Sequence, residues 1–150
     1  MKILVCTDGS ENSEKAIEAA SEMVGDCSIN EVAIIHVHES APFFPDYWQG
    51  QYPFSPEEEA QLKDLDSRLF EERKQYFAKA VKAFEKHNIP VQTIFKMGHP
   101  PEVISQVAAN DNYNLIVIGR RGNSGIKKLF LGSVSNAVLQ AAKTNVLIVK

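Results

Sequence analysis

Residues 115–122 read Leu115-Ile116-Val117-Ile118-Gly119-Arg120-Arg121-Gly122, and nine residues further on come Gly132 and Ser133. A short apolar run that breaks at glycines has the composition of a buried strand. From Ser133 to Ala142 the pattern turns helical. A strand, a glycine loop and a helix start that bears a hydroxyl form the arrangement with which α/β proteins hold phosphate. Glycine lets backbone N–H groups approach an anion, and the helix start adds unpaired donors and the positive end of its dipole. The loop also carries Arg120, Arg121, Lys127 and Lys128. This stretch therefore predicts an α/β domain that binds a nucleotide.

Outward from it, apolar runs and helical patterns alternate along the whole chain. Ile3–Cys6 reads as a first strand, and residues 11–24 place Ala16, Ile17, Ala20 and Val24 on one helical face. Glu31–Val37 is a second strand, rich in β-branched residues. Residues 40–54 form an irregular insert with Pro42, Pro45, Pro53 and six aromatics between Phe43 and Phe54. Ser55-Pro56-Glu57-Glu58 has the form of a helix start with a capping box. No Gly or Pro interrupts Glu57 to Asn88, so a continuous helix there would extend about 45–50 Å at 1.5 Å per residue. Val91–Phe95 is a third strand, Pro100-Pro101-Glu102 opens a helix with Ile104, Val107 and Ala108 inward, and Leu115–Ile118 is the fourth strand. Ser133–Ala142 is the last helix and Val146–Val149 the last strand. Strands that alternate with helices need right-handed crossovers, and these give a parallel sheet with helices on both faces. Ligands of such sheets sit beyond the carboxyl ends of the strands, where the strand order reverses. If the first and fourth strands are neighbours there, Asp8 of Thr7-Asp8-Gly9-Ser10 faces the glycine loop.

The 150 residues suit one domain with a real core, and no apolar run approaches the ~20 residues of a membrane-spanning helix. The N-terminus reads as a strand and not as a signal peptide. Cys6 falls in a core strand and Cys27 in a loop, a poor disulfide framework, which points to a reduced, cytoplasmic protein. Net charge is −3, but from Asn112 to Lys150 there are six basic side chains and no acidic one. That asymmetry suggests an anion-binding face in the C-terminal third, while the acidic overall balance argues against nucleic acid as a partner.

The usual phosphate fingerprints are absent: there is no G-x-x-x-x-G-K-[ST], and Asp8-Gly9-Ser10 is not G-x-G-x-x-G. Gly119, Gly122, Gly132 and Ser133 instead satisfy G-x2-G-x9-G-[ST] in full. This motif resembles that of the universal stress protein family, in its ATP-binding branch. The resemblance extends to Val5-Cys6-Thr7-Asp8-Gly9-Ser10, Ile34-Ile35-His36-Val37, Gly98-His99-Pro100 and Val146-Leu147-Ile148-Val149, and so spans the chain. It implies a five-stranded parallel sheet in the order 3-2-1-4-5, ATP with a divalent ion (Mg²⁺ or Mn²⁺), and a homodimer formed through the C-terminal strand Asn145–Lys150. By position, Asp8 would lie near the phosphates, ribose or metal, and Thr7 and Val37 would flank the adenine. Gly119, Gly122, Gly132, Ser133, Val134 and Ser135 would hold ribose and phosphates, with Arg120 as a loop cation beside them. Cys6 stands where many members carry Pro or a small apolar residue, and the aromatic insert has no inherited role.

Each residue also has a plainer reading. Gly119 and Gly122 could make a tight turn, Ser133 could be an N-cap, and Asp8 could cap the first helix or hold a turn. His36, inside a strand, reads as a satisfied core histidine, while His38 and His99 lie at strand ends. No Ser/His/Asp order, paired carboxylates or metal-ligand spacing stands out. The sequence therefore favours a dimeric ATP-binding stress or regulatory protein, whose nucleotide state controls a protein partner, over a slow ATPase or phosphotransferase using the same pocket. Turnover against retained nucleotide separates these two. The intact glycine motif argues against a third reading, a nucleotide-free dimerisation or chaperone module.

Overall fold

The computed structural model describes residues 1–26, 28–39, 57, 68, 71, 73–122 and 131–150. Along the chain come β1 (Lys2–Cys6), α1 (Glu11–Asp26), β2 (Glu31–His38), α2 (residues 73–82), a 3-10 turn (Glu85–His87), β3 (Val91–Met97), α3 (Pro100–Asn110), β4 (Leu115–Gly119), α4 (Ser133–Ala141) and β5 (Asn145–Val149). The strands form one five-stranded parallel sheet in the order β3-β2-β1-β4-β5, as expected. The chain runs outward from β1 to β3 and then returns to the other side of β1. The order therefore reverses between β1 and β4, and a crevice opens at their carboxyl ends.

Side-chain alternation assigns each strand residue to a face. Ile3, Val5, Val32, Ile34 and Val117 pack against Ala16, Ile17, Ala20 and Val24 of α1 and against Ala80 and Phe84. Leu4, Cys6, Ala33, Ile35, Ile116 and Ile118 pack against Ile104 and Ala108 of α3 and Val138 of α4. Central strands of such a sheet are buried on both faces, which is why they read as continuous apolar runs. The edges differ. On β3, Gln92, Thr93, Lys96 and Met97 are exposed, whereas on β5 Val146, Leu147, Ile148 and Val149 are half-buried.

Helical structure toward Asn88 ends earlier than the unbroken sequence suggests. It stops at residue 82, and the N–H groups of Ala83 and Phe84 bond to the carbonyls of Ala80 and Val81, tightening the last turn. The Ser21 hydroxyl of α1 donates to the Ala83 carbonyl at 2.6 Å and lies 3.1 Å from His87 Nε2. Burial of Phe84 fixes the exit, and Asn88 turns the chain in the left-handed region, φ 51°. A Glu14–Lys79 pair adds a second tie between α1 and α2. Cys27, the insert at 40–54, the start at Ser55-Pro56, Lys127 and Lys128 lie outside the described residues.

Phe84 is fully buried between α1 and the sheet. We expect Phe84→Ala to cost about 3–5 kcal/mol, read as a lower urea midpoint at unchanged slope.

Candidate functional site

The turn that leaves β1 is built by short polar side chains. The Thr7 N–H donates to the Ile35 carbonyl at 2.9 Å and so continues the strand pairing. Asp8 Oδ1 accepts the Ser10 N–H at 3.0 Å, a side chain-to-backbone turn that holds the carboxylate in place. Gly9 follows at φ +76°, a conformation that suits glycine. Ser10 then caps α1: its Oγ accepts the Ser13 N–H at 3.2 Å and its carbonyl accepts the Glu14 N–H at 3.0 Å. The Ser13 hydroxyl donates back to Ser10 O at 2.8 Å and lies 3.3 Å from Thr7 Oγ1. Asp8 thus makes the turn, and Ser10 makes the cap.

The glycines of the second loop serve different needs. A Cβ on Gly119 would meet the Asn12 carbonyl oxygen at 2.5 Å and its carbon at 2.6 Å, so this glycine lets β4 close onto the first turn of α1. A Cβ on Gly122 would overlap Asp8 Oδ2, so the Asp8 carboxylate lies against the Gly122 backbone. Gly132 is the N-cap of α4 and donates its N–H to the Arg120 carbonyl at 2.8 Å. The Ser135 hydroxyl, buried, donates to the same carbonyl at 2.8 Å and lies 3.1 Å from the Gly132 carbonyl oxygen. Ser133 is the first residue inside the helix, not its cap, and is exposed.

These segments enclose a cavity of about 310 Å³ at the carboxyl ends of β1, β2 and β4. Its walls include Thr7, Asp8, Val37, Gly119, Gly122, Gly132, Ser133, Val134 and Ser135, all expected from the sequence. Arg120 is outside the lining and Arg121 is in it. The backbone N–H of Arg120 bonds the Val149 carbonyl at 2.7 Å, and its side-chain Nε is buried without a hydrogen-bond partner among the described residues. Sequence reading missed Ser13, Ile35, Glu39, Pro100, Ile104 and Ile118 as wall residues. Strand alternation would have placed Ile35 beside Val37 on one face, and the capping pattern would have turned Ser13 toward Thr7. Glu39, just past the end of β2, carried no such signal.

The lining is chemically divided. β2 and α3 supply apolar surface from Ile35, Val37, Pro100 and Ile104, while the β4–α4 side supplies glycine backbone, the Ser133 hydroxyl and Arg121, with Asp8 beside them. That division suits a ligand with a flat apolar part joined to an anionic one. The α4 N-terminus adds its dipole to the polar side. Burial, and then the neighbouring Asp8, push the Cys6 thiol well above its ordinary range, so it is a neutral wall residue. Among the described residues no group of three His, Cys, Asp or Glu side chains could hold a metal ion. His36 lies on the opposite face of the sheet, buried, with Nδ1 2.9 Å from the Thr7 carbonyl oxygen. His99 is exposed and pairs with Glu102 at 3.4 Å.

Comparison with known proteins agrees with this fold and shows the family. The family model described as Universal stress protein family matches residues 1–150. Universal stress protein YxiE of Bacillus subtilis is 34% identical over 99% of this chain and 98% of its own. Universal stress protein MJ0577 of Methanocaldococcus jannaschii has a solved structure that superimposes with a TM-score of 0.76 at 27% identity, over 99% of this chain and 94% of that one. The universal stress protein from Archaeoglobus fulgidus, solved in complex with dAMP, has a TM-score of 0.66 at 21% identity, over 100% of this chain and 98% of that one.

Burial lowers the His36 pKa, opposed by the Thr7 carbonyl it bonds and by Asp8, and reinforced by His38 and Arg73. The unfolded chain then binds the proton more tightly than the native one, so this contribution to stability is complete above about pH 6.5 and is lost as pH falls below it. We expect the urea midpoint to drop between about pH 7 and 5 in the unmodified protein. The drop should be smaller in His36→Asn, which keeps a donor without the titration.

Proposed function

The chain belongs to the universal stress protein family, and from that premise we propose that it is a cytoplasmic ATP-binding regulatory protein whose nucleotide state controls a protein partner in a stress response. The observation that carries this is the cavity: the complete glycine motif and the Asp8 carboxylate meet at its polar side, opposite an apolar slot. Adenine fits the apolar walls of Ile35, Val37 and Ile104. Thr7 and Val37 flank it, with the Val37 backbone able to hydrogen-bond the base, and ribose and phosphates lie along Gly119, Gly122, Gly132 and the α4 start. That an Archaeoglobus relative of the same fold was solved with dAMP supports an adenine nucleotide as the class of ligand.

Mg²⁺ or Mn²⁺ fits the same site. Mg²⁺ characteristically binds through one or two carboxylates together with the phosphates of its nucleotide. Asp8 supplies one carboxylate where the phosphates would lie, so no cluster of protein ligands is required. A bound metal would neutralise phosphate charge there, and Arg121 would share that work. The lining contains no histidine among the described residues, and the nearby His36 is on the other face of the sheet. These residues favour holding ATP over splitting it.

For Gly122→Val we expect ATP affinity to fall by at least about tenfold, ~1.4 kcal/mol, in calorimetry with Mg²⁺. The new side chain meets only the outer oxygen of the Asp8 side chain and no backbone among the described residues, so the variant should stay folded. Phosphate release by the unmodified protein should stay below ~1 s⁻¹, the low end of enzyme turnover. Unchanged ATP affinity in the variant would refute this placement of the nucleotide.

We place a homodimer at β5. It is an edge strand in which apolar residues run without interruption from Val146 to Val149 and are half-buried, and such an edge pairs readily with another chain. Pairing two identical edges about a twofold axis is self-complementary. The opposite edge, β3, presents Gln92, Thr93 and Lys96 to solvent and is protected against the same pairing. Light scattering at micromolar concentration should give twice the chain mass, and a monomeric mass would refute the dimer.

A further inference from the structure

We propose that His36 and Tyr76 are positioning residues for the nucleotide, propping from the α2 side of the sheet the Thr7–Gly9 turn whose other side walls the cavity. The inference rests on the reading of that cavity as a nucleotide site. Its warrant is a column of side chains behind the turn, none of which lines the cavity. His36 is 9% exposed, and its Nδ1–H donates to the Thr7 carbonyl at 2.9 Å. A trans peptide is planar with its C=O and N–H antiparallel, so holding the Thr7 carbonyl toward α2 turns the Asp8 N–H to the opposite side, that of the cavity. The imidazole therefore sets the peptide plane from which the Asp8 side chain departs.

Tyr76 holds the next residue. A Cβ on Gly9 would lie 2.5 Å from Tyr76 Cζ and 2.9 Å from Cδ1, so the phenol ring rests directly on the Gly9 backbone. The same ring meets His36 at 5.8 Å between centroids, tilted by 49°. His36 also stacks on Phe95 at 6.0 Å and 15°, and the Arg73 guanidinium covers Phe95 at 4.3 Å. Tyr76 and Arg73 belong to α2, while His36 and Phe95 are paired residues of β2 and β3. In front of the turn, Asp8 Oδ1 holds the Ser10 N–H and Oδ2 lies on Gly122. A shift of α2 by a fraction of an ångström is thereby passed to the carboxylate that faces the phosphates.

Coupling of this kind is reciprocal in binding free energy. If the packing of α2 on Gly9 and His36 favours nucleotide, nucleotide must favour that packing by the same factor. The helix that carries Tyr76 is then the element through which the bound state is felt outside the cavity.

The test is calorimetry with MgATP on the unmodified chain, His36→Leu, His36→Asn and Tyr76→Leu, with circular dichroism to confirm folding. We expect both Leu variants to bind about 5- to 20-fold more weakly, within the ~5–150-fold range of such couplings. His36→Asn, which keeps a donor near the Nδ1 position, should return to within about twofold of the unmodified chain on the same scale. A merely structural role would not distinguish Asn from Leu in ATP affinity. A second measurement needs no variant: hydrogen exchange of residues 73–84 in the unmodified protein should slow when MgATP is added. Leu variants that bind ATP as tightly as the unmodified chain, an Asn variant as weak as His36→Leu, or exchange of 73–84 indifferent to MgATP would each overturn the proposal. Failure of the unmodified chain to bind ATP would instead bring down the nucleotide reading itself, and this inference with it.

Discussion

Gly119 sits where β4 meets the first turn of α1, and there is no room for a side chain between them: the Asn12 carbonyl stands 2.5 Å from the place a Cβ would occupy. This close approach sets the rest of the site. It brings the end of β4 level with the turn that leaves β1, so that Gly122 reaches the Asp8 carboxylate. Arg120 is left in register to bond the Val149 carbonyl, which ties the loop to β5. A phosphate-type glycine motif can therefore have a glycine whose first duty is strand-to-helix packing. The dinucleotide-binding fold uses its third glycine in the same way.

Around that contact the chain solves a problem of buried polarity. Thr7, Ser10, Ser13 and Ser135 are all buried, and each hydroxyl lies within hydrogen-bond distance of backbone or of another hydroxyl. An unsatisfied buried hydroxyl costs of order 1–3 kcal/mol, so these groups stabilise the turn only in the geometry observed. Small hydroxyl side chains also leave space. Larger residues at 13 or 135 would fill the cavity that these residues line. The polar residues that close the α4 start thus shape the empty volume beside it.

The fold was legible because burial on both faces of a parallel sheet leaves strands that read as apolar runs, and because Pro100-Pro101 marks the start of α3. The site was legible wherever backbone chemistry dictates residue type, as at Gly119, Gly122 and Gly132. It was less so where two adjacent side chains of one kind compete. Arg120 and Arg121 are equivalent in sequence; the structure sets Arg121 in the cavity wall, while the Arg120 N–H continues the pairing to the Val149 carbonyl. The same holds for Gly132 and Ser133, where the extended backbone of Gly132 takes the cap and moves the hydroxyl into the helix. The end of α2 depends on Phe84 finding the core and on Ser21 capturing the Ala83 carbonyl, long-range events with no local signature.

The sheet separates two environments, and the polar residues that cross it carry information between them. β1 is apolar through Val5, and its end turns polar at Thr7, where the Thr7 carbonyl meets an imidazole on one face while the Thr7 hydroxyl meets Ser13 at the cavity. An apolar residue in place of His36 would pack as well against Phe95 and Tyr76, and it would spare the cost of burying a ring nitrogen. The histidine instead fixes a carbonyl that would otherwise be buried without a partner, and with it the peptide that leads into Asp8. Fully satisfied buried polar networks specify one arrangement because every alternative leaves a group unpaired. The turn that faces the cavity is thus held by hydrogen bonds at Thr7, Asp8 and Ser10, which suits a wall that must hold a carboxylate at a set distance from a glycine backbone.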